Sequence, residues 1–88
     1  MKIIKISALW CPSCIIVNNI FNKIKNEYNL NIVEYDYDLD EEIVSEYNVG
    51  KKLPVIIACD DNDNELDRII GEKTKEEFID FIEKYENN

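Results

Sequence analysis

Hydrophobic positions fall into short runs, and their period changes from run to run. Lys2 to Ser7 is β-rich and gives way to the loop Ser7-Ala8-Leu9, which predicts a first strand. Cys14, Val17, Phe21, Ile24 and Tyr28 then recur at intervals of three and four, the apolar stripe of a helix. Asn18, Asn22, Lys25 and Asn26 occupy its opposite face. Cys11 opens this helix and Asn29 ends it. Pro12 suits the first helical position, where its missing N–H would have had no partner anyway. From Ile32 to Asp38 the period drops to two, with Val33, Tyr35 and Tyr37 set against Glu34, Asp36 and Asp38, a second strand. Asp40 reads as the cap of a short helix carrying Ile43, Val44 and Tyr47, stopped by Asn48-Val49-Gly50. Val55-Ile56-Ile57-Ala58-Cys59 is apolar on both faces, a buried third strand. Asp60 to Asn64 is a polar turn, and Leu66 to Ile70 returns as a fourth strand. Gly71 breaks the chain. Thr74-Lys75-Glu76-Glu77 has the form of a capping box. It opens a last helix striped by Phe78, Phe81, Ile82 and Tyr85, and the tail Glu86-Asn87-Asn88 is read as frayed.

This order, β-α-β-α-β-β-α, predicts an α/β fold with a mixed four-stranded sheet and helices on both faces. A right-handed crossover makes the first two strands parallel. A turn joins the last two, which form an antiparallel hairpin. No repeat, linker or second domain is visible, so residues 1–88 read as one domain.

Charge and composition narrow the function. The net charge of −9 repels nucleic-acid phosphate, and no basic stripe offsets it. There is no histidine, the commonest general base and metal ligand. No run approaches the ~20 apolar residues of a membrane helix. The N-terminus lacks the pattern of a secretory signal. A cytoplasmic monomer is the expectation, in a compartment where thiols stay reduced.

The candidate chemistry lies in Trp10-Cys11-Pro12-Ser13-Cys14. With Cys11 at the N-cap, its sulfur faces unpaired amides and the positive end of the helix dipole. Both favour thiolate over thiol, and the thiolate is the nucleophile. Cys14, one turn further in, is placed to close on a mixed disulfide and expel the product. Three other readings compete: a chance pair, a static disulfide and a metal site. Structural zinc requires about four ligands. Only Cys59 remains, with no second C-x-x-C. Cys59 itself ends a buried strand and reads as a small core residue, with a regulatory thiol as the alternative. Asp60-Asp61-Asn62-Asp63-Asn64-Glu65 begins like a calcium loop but lacks the glycine at its sixth position and the glutamate at its twelfth.

Three elements in order resemble the thioredoxin family across essentially the whole chain. Trp10-Cys11-Pro12-Ser13-Cys14 is similar to the family's W-C-x-x-C signature at the strand-to-helix junction. Leu53-Pro54 matches its cis-proline site, and Gly71 matches its glycine before the last helix. The form is compact, without the family's usual first strand and helix. The resemblance implies a thiol-disulfide oxidoreductase in which Cys11 attacks, Cys14 resolves, and the two cycle through a Cys11–Cys14 disulfide. It implies a cis Pro54 that sets Leu53 beside the cysteines, with a backbone free to pair with substrate. Trp10, Pro12, Ser13, Leu53, Pro54 and Gly71 would form the docking surface, though Trp10 also reads as a half-buried anchor. The implied partners are disulfide-bearing proteins and a thioredoxin-reductase-type flavoprotein, with no cofactor or metal of the domain's own.

Departures from the family pattern carry further expectations. Pro12-Ser13 replaces the usual Gly-Pro, so the potential is open within the roughly −270 to −120 mV span of such pairs. The family's buried aspartate is here Lys5, and its partnering lysine aligns with Glu34. The charges are exchanged, and Lys5 with Glu34 is read as a partly buried proton-transfer pair for Cys14; the alternative is that both reach solvent. The glutaredoxin alternative lacks its T-V-P and Gly-Gly-x-Asp segments here, although Lys51 and Lys52 flank the site. A non-catalytic binding or redox-sensing module and a metal carrier using Cys11, Cys14 and one acidic ligand complete the alternatives.

Overall fold

The computed structural model describes residues 1–86. Its elements run β1 (Lys2–Ser7), α1 (Pro12–Glu27), β2 (Asn31–Asp36), α2 (Glu41–Ser45), β3 (Val55–Cys59), β4 (Glu65–Ile70) and α3 (Lys75–Glu86). The four strands form one sheet in the order β2-β1-β3-β4. β1 is parallel to β2, with Lys5 opposite Glu34. β1 and β3 are antiparallel, with Lys5 opposite Ile56, and β3 and β4 form the antiparallel hairpin. The element order, mixed sheet and helical layers are as the hydrophobic periods predict.

Alternation along the central strands splits the core into two layers. Ile3, Ile56 and Ala58 face α1 and α3, where they meet Val17, Phe21, Ile24, Phe78, Phe81 and Ile82. Ile4, Ile6, Val55 and Ile57 face the other way, toward Val44 of α2 and the tyrosines Tyr35, Tyr37 and Tyr47. β3 is buried at every position because both layers need it. Phe21 and Phe78 join α1 to α3 edge-to-face, with ring centroids 5.0 Å apart.

Side-chain hydrogen bonds set several boundaries that periodicity alone misplaces. β2 stops at Asp36, because that carboxylate accepts from the amides of Asp38 and Leu39, both at 2.9 Å, and turns the chain. Asp40 is the N-cap of α2 but makes no side-chain cap bond. Its carboxylate accepts from the Asp36 amide at 2.8 Å instead. α1 ends at Glu27, before Asn29, with Tyr28 extended as its C-cap. Tyr47 lies beyond α2, and Asn48 takes the left-handed turn at φ 54°. The Thr74–Glu77 capping box is formed: the Glu77 amide donates to Thr74 Oγ1 at 3.1 Å, and the Thr74 amide donates to Glu77 Oε1 at 3.3 Å. Glu86 belongs to α3 rather than to a frayed tail, while Asn87 and Asn88 lie outside the described residues. Among the described residues, no helix is long and apolar enough to cross a membrane.

Two stability measurements follow. Phe78→Ala opens a cavity between α1, α3 and the sheet and costs about 3–5 kcal/mol in denaturant unfolding, a large share of a small domain's ~5–15 kcal/mol. The second concerns Asp67, which accepts from Tyr85 Oη at 2.6 Å and from the Arg68 amide at 2.8 Å. Those bonds, led by Tyr85, hold its carboxyl below the ordinary range. A carboxyl depressed on folding stabilises above its unfolded pKa and loses that contribution as pH falls through the folded value. Asp67→Asn therefore lowers Tm at neutral pH, and the gap to the parent protein closes below about pH 4.

Candidate active site

The site is built at the end of β1, where Ala8, Leu9 and Trp10 carry the chain into α1. Cys11 is the N-cap in extended conformation, with Pro12 following at the start of the helix. The Cys11 amide donates to the Ala8 carbonyl at 3.3 Å. The Cys14 amide donates to Cys11 Sγ at 3.2 Å, as a cap bond does. The sulfur thus occupies the place an N-cap oxygen fills elsewhere. Pro12 supplies no amide of its own, so the first turn has one fewer donor to satisfy.

Both cysteines are free thiols and both are buried. The Cys11 thiol is directed at the Leu53 carbonyl, 3.8 Å away. Leu53–Pro54 is a cis peptide bond, and both residues are buried. Behind them, the Gly71 amide donates to the Pro54 carbonyl at 2.8 Å. Gly71 has φ 91°, the left-handed region that favours glycine, and a Cβ there would meet Lys52 Cε at 3.2 Å. The strand-to-helix loop, the segment before β3 and the residue after β4 therefore converge on one end of the sheet.

The two thiols differ in environment. Burial, followed by the hydrogen bond with Cys11, pushes the Cys14 thiol up to about 11. A backbone contact from Ala8 and the positive charge of Lys5 pull in the opposite direction. Cys14 is thus a thiol at neutral pH and ionises only with assistance.

Trp10 stands at the rim with 59% of its surface exposed. Its indole Nε1 donates to Asp38 Oδ2 at 2.7 Å, and its ring meets Tyr37 edge-on at 6.2 Å. It is a held but open surface. Pro12 is exposed and Ser13 half-buried on the first helical turn. Leu9 and Leu39 are also exposed, at 87% and 81%.

Lys5 and Glu34, paired by the family resemblance, are opposite each other in the β1–β2 register and meet. Lys5 Nζ lies 2.6 Å from Glu34 Oε1, with the lysine side chain 3% exposed and the glutamate 64%. Among the described residues, Lys5 is the one charged side chain in the core. Nζ also donates to Asn18 Oδ1 at 2.6 Å and lies 5.8 Å from the centre of the Phe21 ring. Asn18 is therefore half-buried and turned toward the sheet, not out on the polar face of α1. Its position four residues after Cys14 places it on the same side of the helix. That spacing was the available signal for Asn18; no comparable signal marks Asp38 as the partner of Trp10.

Cys59 is buried in β3 and pairs with Lys2, at the end of β1 remote from the site. The Asp60 carboxylate accepts from the amides of Asn62 and Asn64, both at 2.9 Å. It shapes a turn. Among the described residues, no three cysteine, aspartate or glutamate side chains gather as a metal site.

The geometry has counterparts in known proteins. The family model described as thioredoxin matches residues 1–84. The chain is similar to the reduced thioredoxin pre-protein of Schistosoma mansoni, with 25% identity and a TM-score of 0.86 over 96% of this chain and 77% of that one. It shares its fold with thioredoxin-2 of the malaria parasite, a component of that organism's protein secretion machinery, at 24% identity and a TM-score of 0.86 over 96% and 82% of the two chains. A further malarial protein superposes at a TM-score of 0.84, with 24% identity over 96% and 94%. On the family match and the placement of the cysteine pair at the head of α1, the chain belongs to the thioredoxin family and is a thioredoxin-type redox protein.

Proposed function

We propose that the protein is a thiol-disulfide oxidoreductase that reduces protein disulfides through Cys11 and Cys14. The observation that carries this reading is the Cys14 amide aimed at Cys11 Sγ at 3.2 Å. A sulfur anion at Cys11 is stabilised by that bond and by the helix N-terminus behind it. Cys11 attacks one sulfur of the substrate disulfide, forming a mixed disulfide and releasing the other sulfur as a thiolate. Cys14 then loses its proton and attacks Cys11 Sγ. A Cys11–Cys14 disulfide forms, and the second substrate sulfur leaves as a thiolate. Substrate and domain exchange two electrons with no cofactor of the domain's own. A thioredoxin-reductase-type flavoprotein restores the dithiol.

In this reading Trp10, Pro12, Ser13, Leu53, Pro54 and Gly71 form the docking surface, and an extended substrate pairs with the backbone at Leu53. Lys5 and Glu34 assist proton loss from Cys14. A cytoplasmic setting suits the reading, since that compartment keeps dithiols reduced. The acidic surface and the absence of the glutaredoxin segments favour protein disulfides over glutathione.

Trapping tests the order of attack. Cys14→Ser leaves the nucleophile but removes the group that resolves, so mixed disulfides to Cys11 accumulate and their partners are identified by mass spectrometry. Cys11→Ser traps none. Equal trapping by both variants contradicts the assignment. The pH profile is a second test. Because burial is the largest cause raising the Cys14 thiol and persists when Cys11 is loaded, release of substrate from the mixed disulfide accelerates as pH rises through the neutral range. A rate independent of pH there removes Cys14 from the step.

A further inference from the structure

Burying a lysine in an aliphatic core is costly, and a hydrophobic residue of similar size often serves stability as well or better. Lys5 nevertheless lies beside Ile56 of β3 and beneath Phe21, on the sheet face that α1 covers. Its ammonium carries three protons and no lone pair, so it donates but does not accept. One donor is committed to Asn18 Oδ1 at 2.6 Å, and the ammonium is ion-paired with Glu34 Oε1 at 2.6 Å. Asn18 belongs to the helix that carries Cys14, and Glu34 to the neighbouring strand. The two clamp the ammonium from opposite elements.

We infer that Asn18 is a positioning residue that, with Glu34, fixes the Lys5 cation behind Cys14, so that a positive charge promotes ionisation of the resolving thiol. This deepens the reading of Cys14 as the resolving group and rests on it. It also assigns the roles within the Lys5–Glu34 pair. Glu34 anchors the ammonium at a solvent-facing edge, while Lys5 acts on the sulfur through its field. The Cys14 proton leaves to water, and the thiolate that remains is stabilised by the neighbouring charge. Cys14 Sγ then bonds to Cys11 Sγ as the Cys11–substrate bond breaks, and the departing sulfur carries the electron pair away.

The groups facing these charges come from every element around them. Cys14 meets the Cys11 thiol and the Ala8 backbone at the helix start, and the charge of Lys5 on β1 acts on it. Lys5 shares a cleft of about 160 Å³ with Phe21, Asn22 and Lys25 of α1 and with Ile32 and Glu34 of β2. The β3 residue opposite it is Ile56, and α3 contributes Phe78 and Ile82 to the same layer of the core. Lys25 is a second cation lining that cleft, exposed to solvent and therefore screened. Asn18 determines which way the Lys5 ammonium points, because it is the partner on the cysteine-bearing helix.

Stopped-flow mixing of the reduced protein with a coloured aryl disulfide reads the step directly. A bimolecular phase loads Cys11, and a first-order phase follows as Cys14 expels the second aryl thiolate. Between roughly pH 6 and pH 9, Lys5→Met and Asn18→Leu each slow the first-order phase by about tenfold and displace its profile upward by about one unit. Lys5→Arg, which keeps the charge, stays within about twofold of the parent protein. Circular dichroism confirms that each variant is folded; should Lys5→Met not fold, Asn18→Leu and Lys5→Arg carry the comparison. An unchanged first-order phase in the folded variants overturns the inference, as does equal slowing in Lys5→Arg. A first-order phase that survives Cys14→Ser overturns instead the resolving role of Cys14.

Discussion

A single amide donating to a single sulfur organises this molecule's chemistry. The Cys14 N–H reaches Cys11 Sγ because Cys11 is the residue at which strand geometry gives way to helix. In most helices a hydroxyl or carboxylate oxygen fills that place and the bond serves only stability. In the proposed function the acceptor is the nucleophile, so the group that caps the helix is also the group that reacts. Its partner is the residue supplying the amide, so the spacing of the pair is the spacing of a cap and its donor. Cys14 is consequently drawn one turn inward, where burial keeps it protonated. The asymmetry that the proposed function assigns to an attacking and a resolving sulfur follows from where the helix begins.

The rest of the fold serves to hold that helix end against a second surface. β1 delivers the chain to the N-cap, and its pairing with β3 brings Leu53 and Pro54 alongside it. Gly71 completes the arrangement by bonding the Pro54 carbonyl at a backbone angle that side chains disfavour. The three segments are distant in sequence and are united by strand order alone.

Much of this was legible in the sequence because the signals were periodic or local. The apolar stripe of α1, the unbroken apolar run of β3 and the capping box of α3 each reflect a geometric repeat or a fixed offset. The cysteine pair and Pro12 marked the helix start for the same reason. The end of β2 and the side chain of Asp40 were not legible, because Asp36 and Asp40 bond to backbone amides in a turn whose acceptors no periodicity reveals. At the site, the resemblance to the family paired Lys5 with Glu34. It did not disclose that Asn18 turns inward to share the ammonium, since asparagine on a helix usually signals solvent. Nor did it show the Asp38 carboxylate holding the indole of Trp10, a bond between two loops. What escaped were polar contacts between segments whose relative placement only the folded chain defines.

Chemical competition between the three thiols tests the central claim most directly. Brief exposure of the reduced protein to limiting iodoacetamide at neutral pH, followed by peptide mapping, reports which sulfur is available as an anion. The account predicts that alkylation falls on Cys11, with Cys14 and Cys59 left unmodified until the protein is unfolded. Label distributed evenly between Cys11 and Cys14, or found first on Cys14, would contradict it.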